Sequence, residues 1–360
     1  MKKIAVVSID NINNAGDEII GNIARYLTEK ISDDIVVKKI SFCPSFRYLI
    51  KKGYVLQAVA AIVMLMFAKL MGNGTVKYKT KNIAYKFRFG KYYKTLLKNV
   101  DGIVCAVGML KYSTQNHSYL YELLCSTAQI YSIPVIFCGQ SVEKFHKEDW
   151  RCRQLRHALN YPVVKAIATR DGNSGIKKLR RYVKRNIPVA GAGDLALWIP
   201  DYYNIEKKSG RVIGVGLVRG NIYQDYMPES NINECRLMNI YQDIVYELER
   251  RGFEWVFFCN GIKQDYNFGR QLLKKMNLPD NKLLRIPNCA NELINDIAGF
   301  KGVIGARFHA CMVSFSIGIP FIGMVWDSKF SGVGKMMGIE EQFVEAEDLN
   351  GEYMVNLLEN

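Results

Sequence analysis

The feature that most constrains this chain is a regular alternation of short apolar runs with longer amphipathic segments. Runs such as Ile4–Ile9 and Gly302–Gly305 have the length and composition of buried strands. Segments between such runs, for example Asn233–Arg251, have the period of about 3.6 residues that is typical of helices. Strands that alternate with helices pair in parallel and are joined by right-handed crossovers. The sequence therefore predicts an α/β protein with parallel sheets.

The alternation falls into two sets, and a length of 360 residues suits two domains. The predicted strands are Ile4–Ile9, Val36–Ile40, Gly102–Val107, Pro134–Cys138 and Ala166–Thr169 in the first set, and Val212–Leu217, Trp255–Phe258, Lys282–Arg285, Gly302–Gly305 and Pro320–Val325 in the second. Between the sets lies Trp198–Gly210, a polar segment without a clear period. We expect one Rossmann-like domain over residues 1–200 and a second over 211–347. A C-terminal helix in 348–360 is expected to cross back to the first domain.

Positive charge is concentrated within the first set. Residues 35–100 contain no Asp or Glu, although the whole chain has a formal net charge of +15. The basic residues of this insert are Lys38, Lys39, Arg47, Lys51, Lys52, Lys69, Lys77, Lys79, Lys81, Lys86, Arg88, Lys91, Lys94 and Lys98. A local excess of this size predicts an anionic partner.

An apolar segment, Tyr54–Met71, lies inside this basic insert. It can form a core helix that covers the sheet, or a helix that lies in the inner leaflet of a membrane with lysines on anionic headgroups. Nucleic acid is a weaker third partner, because no DNA- or RNA-binding motif accompanies the lysines. The lysines on both sides of the segment favour the membrane. We therefore expect a peripheral protein at the inner face of the plasma membrane.

The nine cysteines show neither a disulfide framework nor a metal-binding pattern, because their number is odd and no CxxC pair occurs. Several lie inside apolar runs, which is typical of buried free thiols in a reduced compartment. The sequence also contains no P-loop, GxSxG or HExxH motif. We therefore expect a cytoplasmic protein with no metal and no cofactor.

Ligands of α/β sheets bind at the carboxyl ends of the strands, so the candidate site is sought in those loops. After the first strand, Asn14 and Gly16 precede Asp17, whose carboxylate is placed to cap a helix or to contact an acceptor hydroxyl. Gly108 and Gln140 follow the third and fourth strands, where a glycine lets a ligand or a helix approach the backbone. A purely structural role stays open for each of these residues.

Arg170 ends the fifth strand immediately before a predicted helix. A positive charge at a helix N-terminus opposes the helix dipole unless an anion lies between them, so Arg170 is a candidate anion-binding residue. The alternative is an exposed ion pair with Asp171, which would contribute little to stability.

The strongest signal is the loop after Gly302–Gly305, because it holds both Arg307 and His309. Helix N–H groups, a guanidinium fork and an imidazole would point to one place there. Lys329 follows the next strand, and Arg219 follows the first strand of the second set. These groups at neighbouring strand ends predict an anionic substrate.

Several segments, in this order along the chain, resemble the motifs of the polysaccharide pyruvyl transferase family. They are NNAGDE, VGMLKY, PVIFCGQS, ATRDGNS, GDLAL and GARFHACMVSFSIGIPFIGMVWDSK. The arginine–any–histidine block with its downstream aspartate–any–lysine is the most specific of them. The chain departs from the family at Ala106-Val107-Gly108, where consecutive glycines are frequent, and at Asp194-Leu195-Ala196, where Asp-Pro-Ala is frequent. These departures bear on the identity of the acceptor more than on the class of enzyme.

The resemblance implies a GT-B-like fold, in which two Rossmann-like domains with parallel sheets face each other across a cleft. The first domain would hold the acceptor and the second the donor. The implied reaction transfers a pyruvate ketal (carboxyethylidene) group from phosphoenolpyruvate to two hydroxyls of a sugar. The sugar would belong to a capsule or exopolysaccharide, or to its lipid-linked oligosaccharide precursor. Phosphoenolpyruvate is then a donor substrate rather than a cofactor.

The resemblance also implies roles for the candidate residues. The donor-binding residues would be Arg170, Arg219, Arg307 and Lys329. His309 would be the general acid that protonates the methylene carbon of the donor, and Arg307 would also stabilise the phosphate as it leaves. Asp17 would bind or deprotonate an acceptor hydroxyl.

Two other functions stay open from the residues alone. One is a sugar-nucleotide-dependent glycosyltransferase of the GT-B type, since a fold does not fix a function. Against it, the second domain shows no clear carboxylate to contact a ribose. The other is a non-catalytic protein that binds an anionic polymer through the basic insert.

Overall fold

The structure, a computed structural model, describes residues 1–9, 14–71, 74–113, 117–327 and 329–359, without the side chains of Thr75 and Lys329. The chain divides into two units. One consists of Met1–Asp10 and Ala24–Ala192, and the other of Asn11–Ile23 and Gly193–Asn360. Each unit is built on one parallel sheet, which confirms the predicted α/β class.

The sheet of the first unit has the strand order β2-β1-β3-β5-β6-β7, and β4 pairs with β5 outside this path. Its strands are β1 (Lys2–Ser8), β2 (Ile35–Ser41), β3 (Gly102–Cys105), β4 (Met109–Leu110), β5 (Val135–Val142), β6 (Val164–Thr169) and β7 (Val189–Gly191). The helices between these strands are α1 (Ala15–Glu29), α2 (Phe46–Lys51), α3 (Val55–Leu70), α4 (Thr75–Leu97), α5 (His117–Ile130), α6 (Trp150–Leu159) and α7 (Gly172–Tyr182). The first turns of α1 are grouped with the second unit.

The basic insert forms the helices α2, α3 and α4, and its two long helices differ in what they bury. The aromatic side chains Phe89, Tyr92 and Tyr93 of α4 are part of the core of the first unit. By contrast, α3 contacts α4, and its buried side chains are alanines, such as Ala58 and Ala61. Among the helices of the insert, α4 therefore contributes most to the core, and it is a helix that the sequence analysis did not predict. Among the described residues, no helix combines the length and apolar character needed to cross a membrane.

The second unit contains a parallel sheet of five strands in the order β12-β11-β10-β8-β9. The strands are β8 (Val212–Gly216), β9 (Glu254–Phe258), β10 (Gly302–Gly305), β11 (Phe321–Met324) and β12 (Phe343–Val344). The helices are α8 (Ile199–Tyr203), α9 (Ile222–Tyr226), α10 (Glu234–Arg250), α11 (Lys263–Met276), α12 (Ala290–Ala298), α13 (Phe308–Ser316), α14 (Lys329–Met337) and α15 (Gly351–Glu359). The central strand β10 is buried along its whole length, so the turn after it starts from a fixed position.

Two expectations differ from the structure in this unit. Lys282–Arg285 is not a strand. Leu283 forms a single bridge with Phe257, and Pro279 and Pro287, which cannot donate a backbone hydrogen bond, bracket the segment.

The second difference concerns the C-terminal helix, which was expected to cross back to the first domain. The structure groups α15 with the second unit, where it packs against α10. Its buried side chains Met354 and Val355 provide the physical reason, because this contact removes them from water.

The different burial of α3 and α4 predicts different effects of the same substitution. Phe89 is fully buried, whereas Phe67 on α3 is 59% exposed. We expect Phe89→Ala to lower the free energy of unfolding by about 3–5 kcal/mol, because it leaves a cavity. Phe67→Ala should change it by less than about 0.5 kcal/mol. Chemical unfolding followed by circular dichroism measures both, and equal losses would contradict the assignment of α3 to the surface.

Candidate active site

The turn from β10 into α13 positions both residues of the strongest predicted pair. Arg307 is the N-cap residue of α13 and has an extended backbone. Its carbonyl oxygen accepts the N–H groups of Ala310 at 2.9 Å and Cys311 at 3.3 Å. His309 lies in the first turn of α13 and is half-buried. The buried strand and the helix together hold the two side chains at the carboxyl end of the central strand.

Arg307 is held by a carboxylate that the sequence analysis missed, that of Asp265 in the first turn of α11. Its Nε donates to Oδ2 of Asp265 at 2.8 Å and its Nη2 to Oδ1 at 2.6 Å. The side chain of Asp265 is fully buried, and that of Arg307 is 15% exposed. Asp265 also accepts the backbone N–H of Arg219 at 2.9 Å. A paired guanidinium of this kind has a fixed orientation, and the carboxylate offsets part of its charge.

An aromatic side chain completes the surroundings of Arg307. The guanidinium carbon lies 5.5 Å from the centre of the Trp326 ring. The indole N–H of Trp326 donates to the carbonyl oxygen of Ala306, which fixes the ring next to the turn. The contact is within the range of a cation–π interaction.

His309 lies directly against Gly16, which belongs to the same unit. A Cβ atom added to Gly16 would be 2.2 Å from Nδ1 and 2.4 Å from Cγ of His309. No side-chain carbon fits at such distances, so glycine is required here for the close approach of the ring. The structure therefore brings together two residues of the predicted site that are far apart in sequence.

The start of α1 is fixed within the second unit by several hydrogen bonds. The backbone N–H of Ala15 donates to the carbonyl oxygen of Asn260 at 3.0 Å, and Oε2 of Glu18 accepts the N–H of Ala290 at 3.0 Å. Asn260 follows β9 and Ala290 begins α12. The first turn of α1 is thus attached to two elements of this unit.

The cap of this helix is Asn14 and not Asp17. The sequence left two roles open for Asp17, a helix cap or a contact with an acceptor hydroxyl. In the structure, Oδ1 of Asn14 accepts the N–H of Gly16 at 3.2 Å and acts as the N-cap. Asp17 instead accepts a hydrogen bond from Nδ2 of Asn14 at 2.9 Å through Oδ2. The acceptor role proposed for Asp17 therefore concerns a carboxylate that Asn14 orients.

Arg219 and Lys329 are the other two predicted cations of this unit. Arg219 donates to Asn221, which precedes α9, and to Asp225 within α9, and its side chain is 25% exposed. Lys329 begins α14, but its side chain lies outside the described part of the structure.

In the first unit, Arg170 is buried rather than exposed, which corrects the alternative of a surface pair with Asp171. Only 2% of Arg170 and 4% of Asp171 is accessible to solvent. Nε of Arg170 donates to Oγ of Ser141 at 2.9 Å, and this hydroxyl donates to Oδ1 of Asp171 at 2.9 Å. Oδ2 of Asp171 accepts the N–H of Val142 at 2.7 Å. Ser141 thus links the arginine to the carboxylate.

Gly108 and Gln140 lie beside this group. Gly108 has a φ of +82°, which favours glycine, and a Cβ added there would lie 3.9 Å from Nη2 of Arg170. Nε2 of Gln140 donates to the carbonyl oxygens of Cys105 at 2.8 Å and Cys138 at 2.9 Å. Gln140 lies within β5, and its side chain ties this strand to the carboxyl end of β3, which is a structural role.

Sequence reasoning missed Asp265 because its partner Arg307 is distant along the chain. The sequence nevertheless contains a signal that could have identified Asp265 as a site residue. Asp265 lies in the first turn of the helix that follows the strand Glu254–Phe258, at the sheet edge where ligands bind. Within the described residues, no group of three or more His, Cys, Asp or Glu side chains could hold a metal ion.

Comparison with known proteins gives a family and a fold. Residues 14–328 match the family described as polysaccharide pyruvyl transferase. A search of curated proteins found no match.

Among solved structures, three similar chains are enzymes of other kinds. A UDP-GlcNAc 2-epimerase from Methanocaldococcus jannaschii has 13% identity and a TM-score of 0.56, and the match covers 99% of this chain and 92% of that one. A putative UDP-N-acetylglucosamine 2-epimerase from Listeria monocytogenes has 11% identity, coverages of 100% and 89%, and a TM-score of 0.57. A ugt transferase from Siraitia grosvenorii in complex with UDP has 10% identity, coverages of 99% and 91%, and a TM-score of 0.51. These likenesses confirm the GT-B-like fold and nothing about the substrate.

The contact between Gly16 and His309 predicts the effect of one added methyl group. We expect Gly16→Ala to displace the His309 ring and to lower the free energy of unfolding by about 1–3 kcal/mol, because the site is already filled. The imidazole resonances of His309 in an NMR spectrum report the displacement directly.

Gly90 in α4 provides the matched control, since a Cβ added there meets no atom within 4 Å among the described residues. Gly90→Ala should leave the His309 resonances unchanged and raise stability by about 0.5–1 kcal/mol. Unchanged His309 resonances in Gly16→Ala would show that the ring does not lie against this glycine.

The burial of Asp265 predicts that its substitution costs more stability than that of an exposed aspartate. Asp265→Asn leaves the guanidinium of Arg307 without its charge partner, so the free energy of unfolding should fall by about 3 kcal/mol. Asp225→Asn removes the 45%-exposed partner of Arg219 and should cost less than about 1 kcal/mol. Chemical unfolding of both variants measures the difference, and two equally small losses would contradict the structural importance of Asp265.

Proposed function

The chain belongs to the polysaccharide pyruvyl transferase family, and we propose that its donor is phosphoenolpyruvate and its acceptor a sugar of a cell-surface polysaccharide or of its lipid-linked precursor. The observation that carries this proposal is the group of Arg307, Asp265, His309 and Gly16 at the carboxyl end of β10. It combines an oriented guanidinium, an imidazole and a helix N-terminus, at the edge of the sheet where α/β proteins bind ligands.

The chemistry of the donor explains why these groups are suitable. Phosphoenolpyruvate carries a carboxylate and a phosphate, and a guanidinium N–H forms a charge-assisted hydrogen bond with either of them. Arg307 uses Nε and Nη2 for Asp265, so we assign its remaining Nη1 to the donor. The N–H groups at the start of α13 add a partial positive charge of the right sign.

We propose that His309 is the general acid. It gives a proton to the methylene carbon of the donor, and the first sugar hydroxyl adds to the neighbouring carbon while Asp17, as the proposed base, takes its proton. Proton exchange with solvent then returns Asp17 and His309 to their starting states. The second hydroxyl then replaces the phosphate at this carbon, and its proton leaves with the phosphate. One ketal and one inorganic phosphate result, so atoms and charges balance. General acid catalysis of this kind contributes about a hundredfold or more.

The remaining candidate residues keep the roles assigned from the sequence, as proposals. Asp17, oriented by Asn14, contacts or deprotonates an acceptor hydroxyl. Arg170 and Lys329 are donor contacts, and for Arg219 the bonds to Asn221 and Asp225 make this role weaker than for Arg307.

The proposed acceptor also implies a location. A precursor built on a lipid carrier stays in the membrane, so an enzyme that modifies it works at the membrane surface. We therefore propose that the protein is peripheral at the inner face of the plasma membrane and acts on a capsule or exopolysaccharide precursor.

The function is tested by incubation with phosphoenolpyruvate and a lipid-linked oligosaccharide. We expect release of inorganic phosphate and a gain in oligosaccharide mass that corresponds to one pyruvate ketal. His309→Gln should fold normally and slow the transfer by about a hundredfold or more, because the proton donor is lost.

His157 is the matched control, since its side chain is 66% exposed and is paired with Glu122 in the first unit. His157→Gln should keep full activity. Full activity of His309→Gln would exclude the role of this residue as the acid. Stabilisation of the protein by UDP- or CMP-sugars but not by phosphoenolpyruvate would favour a glycosyltransferase instead.

A further inference from the structure

Helix α3 has the reverse of the usual distribution of apolar side chains. Its buried residues are the small Ala58, Ala61 and Ala68. Most of its large apolar side chains are exposed, and six of them are 47% to 86% exposed. They are Leu56, Val59, Val63, Met66, Phe67 and Leu70. Leu65 is an exception, since it is partly buried against the core. A surface helix normally buries its large apolar side chains and exposes polar ones. The difference indicates that this face of α3 contacts an apolar medium.

The exposed residues follow the spacing of one helix face. Leu56, Val59, Val63, Met66 and Leu70 are separated by three or four positions, so they form a continuous stripe along α3. A contiguous apolar surface of this kind marks an interaction site in a soluble protein.

Exposed lysines flank α3 along the chain and occur on α4, the helix that packs against it. They occur before α3 at Lys51 and Lys52, near its end at Lys69, and along α4 at Lys79 and Lys86. The pKa of Lys81 is lowered, first by partial burial and then by the neighbouring charges of Lys77, Arg151 and Lys69. Burial is the main cause of this shift, and repulsion by the neighbouring cations adds to it.

The apolar stripe and the nearby lysines together distinguish between the possible binding partners of this surface. A second copy of this chain would bring two lysine-rich surfaces together, which like charges oppose. Nucleic acid would neutralise the lysines through its phosphates but would leave an aliphatic stripe such as Leu56, Val63 and Leu70 in water. An anionic bilayer satisfies both features, since its headgroups pair with lysines while its acyl chains accept the apolar side chains.

We propose that α3 docks on an anionic lipid bilayer, with its outer stripe in the headgroup and acyl boundary and the lysines of α3 and α4 at headgroup level. With 16 residues, the helix is about 24 Å long. One of its faces is occupied by α4, so it lies along the membrane surface. The choice of the inner leaflet rests on the proposed function, whereas the docking surface itself does not.

Co-sedimentation with lipid vesicles tests the proposal. The wild-type protein should bind vesicles of phosphatidylcholine with about one third phosphatidylglycerol and should bind pure phosphatidylcholine weakly. Lys79→Gln with Lys86→Gln should lower the partition coefficient by about 30-fold, because each lysine near an anionic surface contributes about fivefold. Binding should also weaken at about 1 M salt, where charges are screened beyond about 3 Å.

The stripe is tested separately with Leu56→Gln, Val63→Gln and Phe67→Gln together, which should reduce binding at least tenfold without changing the charge. The chain offers matched controls for both the stripe variant and the lysine variant. Ile130→Gln with Tyr246→Gln changes apolar side chains that are 64% and 65% exposed elsewhere, and Lys184→Gln with Lys274→Gln removes two exposed lysines. Neither control should alter vesicle binding.

Three outcomes would overturn the proposal. The first is that the wild-type protein stays in the supernatant with anionic vesicles at low salt. The second is that the stripe variant binds as well as the wild type. The third is a dimer that the stripe variant converts to a monomer while vesicles are not bound. Phosphate release with a water-soluble acceptor is measured in parallel and should be equal in the wild type and the stripe variant. This measurement tests the proposed transferase activity separately from the proposed membrane docking.

Discussion

The geometry of the second unit depends on one buried carboxylate. Asp265 is fully inaccessible to solvent, and an ionised carboxylate in such a place is destabilising unless hydrogen bonds and a counter-charge compensate it. Three donors do so: the backbone N–H of Arg219, and Nε and Nη2 of Arg307. These groups come from the loop after β8 and the turn after β10, while Asp265 itself comes from α11. The carboxyl edge of this sheet is therefore fixed by a single side chain.

A steric constraint adds to this electrostatic one. The imidazole of His309 occupies the space that a side chain at Gly16 would need, and Ala15 and Glu18 attach the same helix turn to Asn260 and Ala290. The orientation of His309 is thus limited on one side by backbone. The general-acid role proposed for His309 would benefit from such rigidity, because small displacements of a reacting group slow a reaction strongly.

The sequence predicted most strands, the α/β class and the Arg307–His309 pair, because each of these features is local. An apolar run, a helical period and two polar residues in one turn are all visible within about ten residues. The partner of Arg307 was not predictable in this way, since Asp265 is 42 positions away and a sequence does not show which carboxylate faces which arginine. The helix α4 was missed because its many lysines and aromatic residues concealed the period of its buried face. Burial of Arg170 was likewise invisible, since the hydroxyl that binds it belongs to Ser141 on another strand.

The chain contains two kinds of positive charge, and each suits a different anion. Arg307 has a planar guanidinium that Asp265 holds in one orientation, which matches a small ligand whose carboxylate or phosphate must be placed accurately. The exposed lysines of α3 and α4 are point charges on flexible stems, and they can follow headgroups that move in the plane of a bilayer. The entropic cost of ordering a side chain explains why the two sites use different cations. An arginine fixed by a buried partner has already lost its rotational freedom before a ligand binds. A lysine that contacts a fluid surface keeps its rotational freedom. Arginine at the sheet edge and lysine on the helices therefore suit the donor site and the membrane surface that we propose for them.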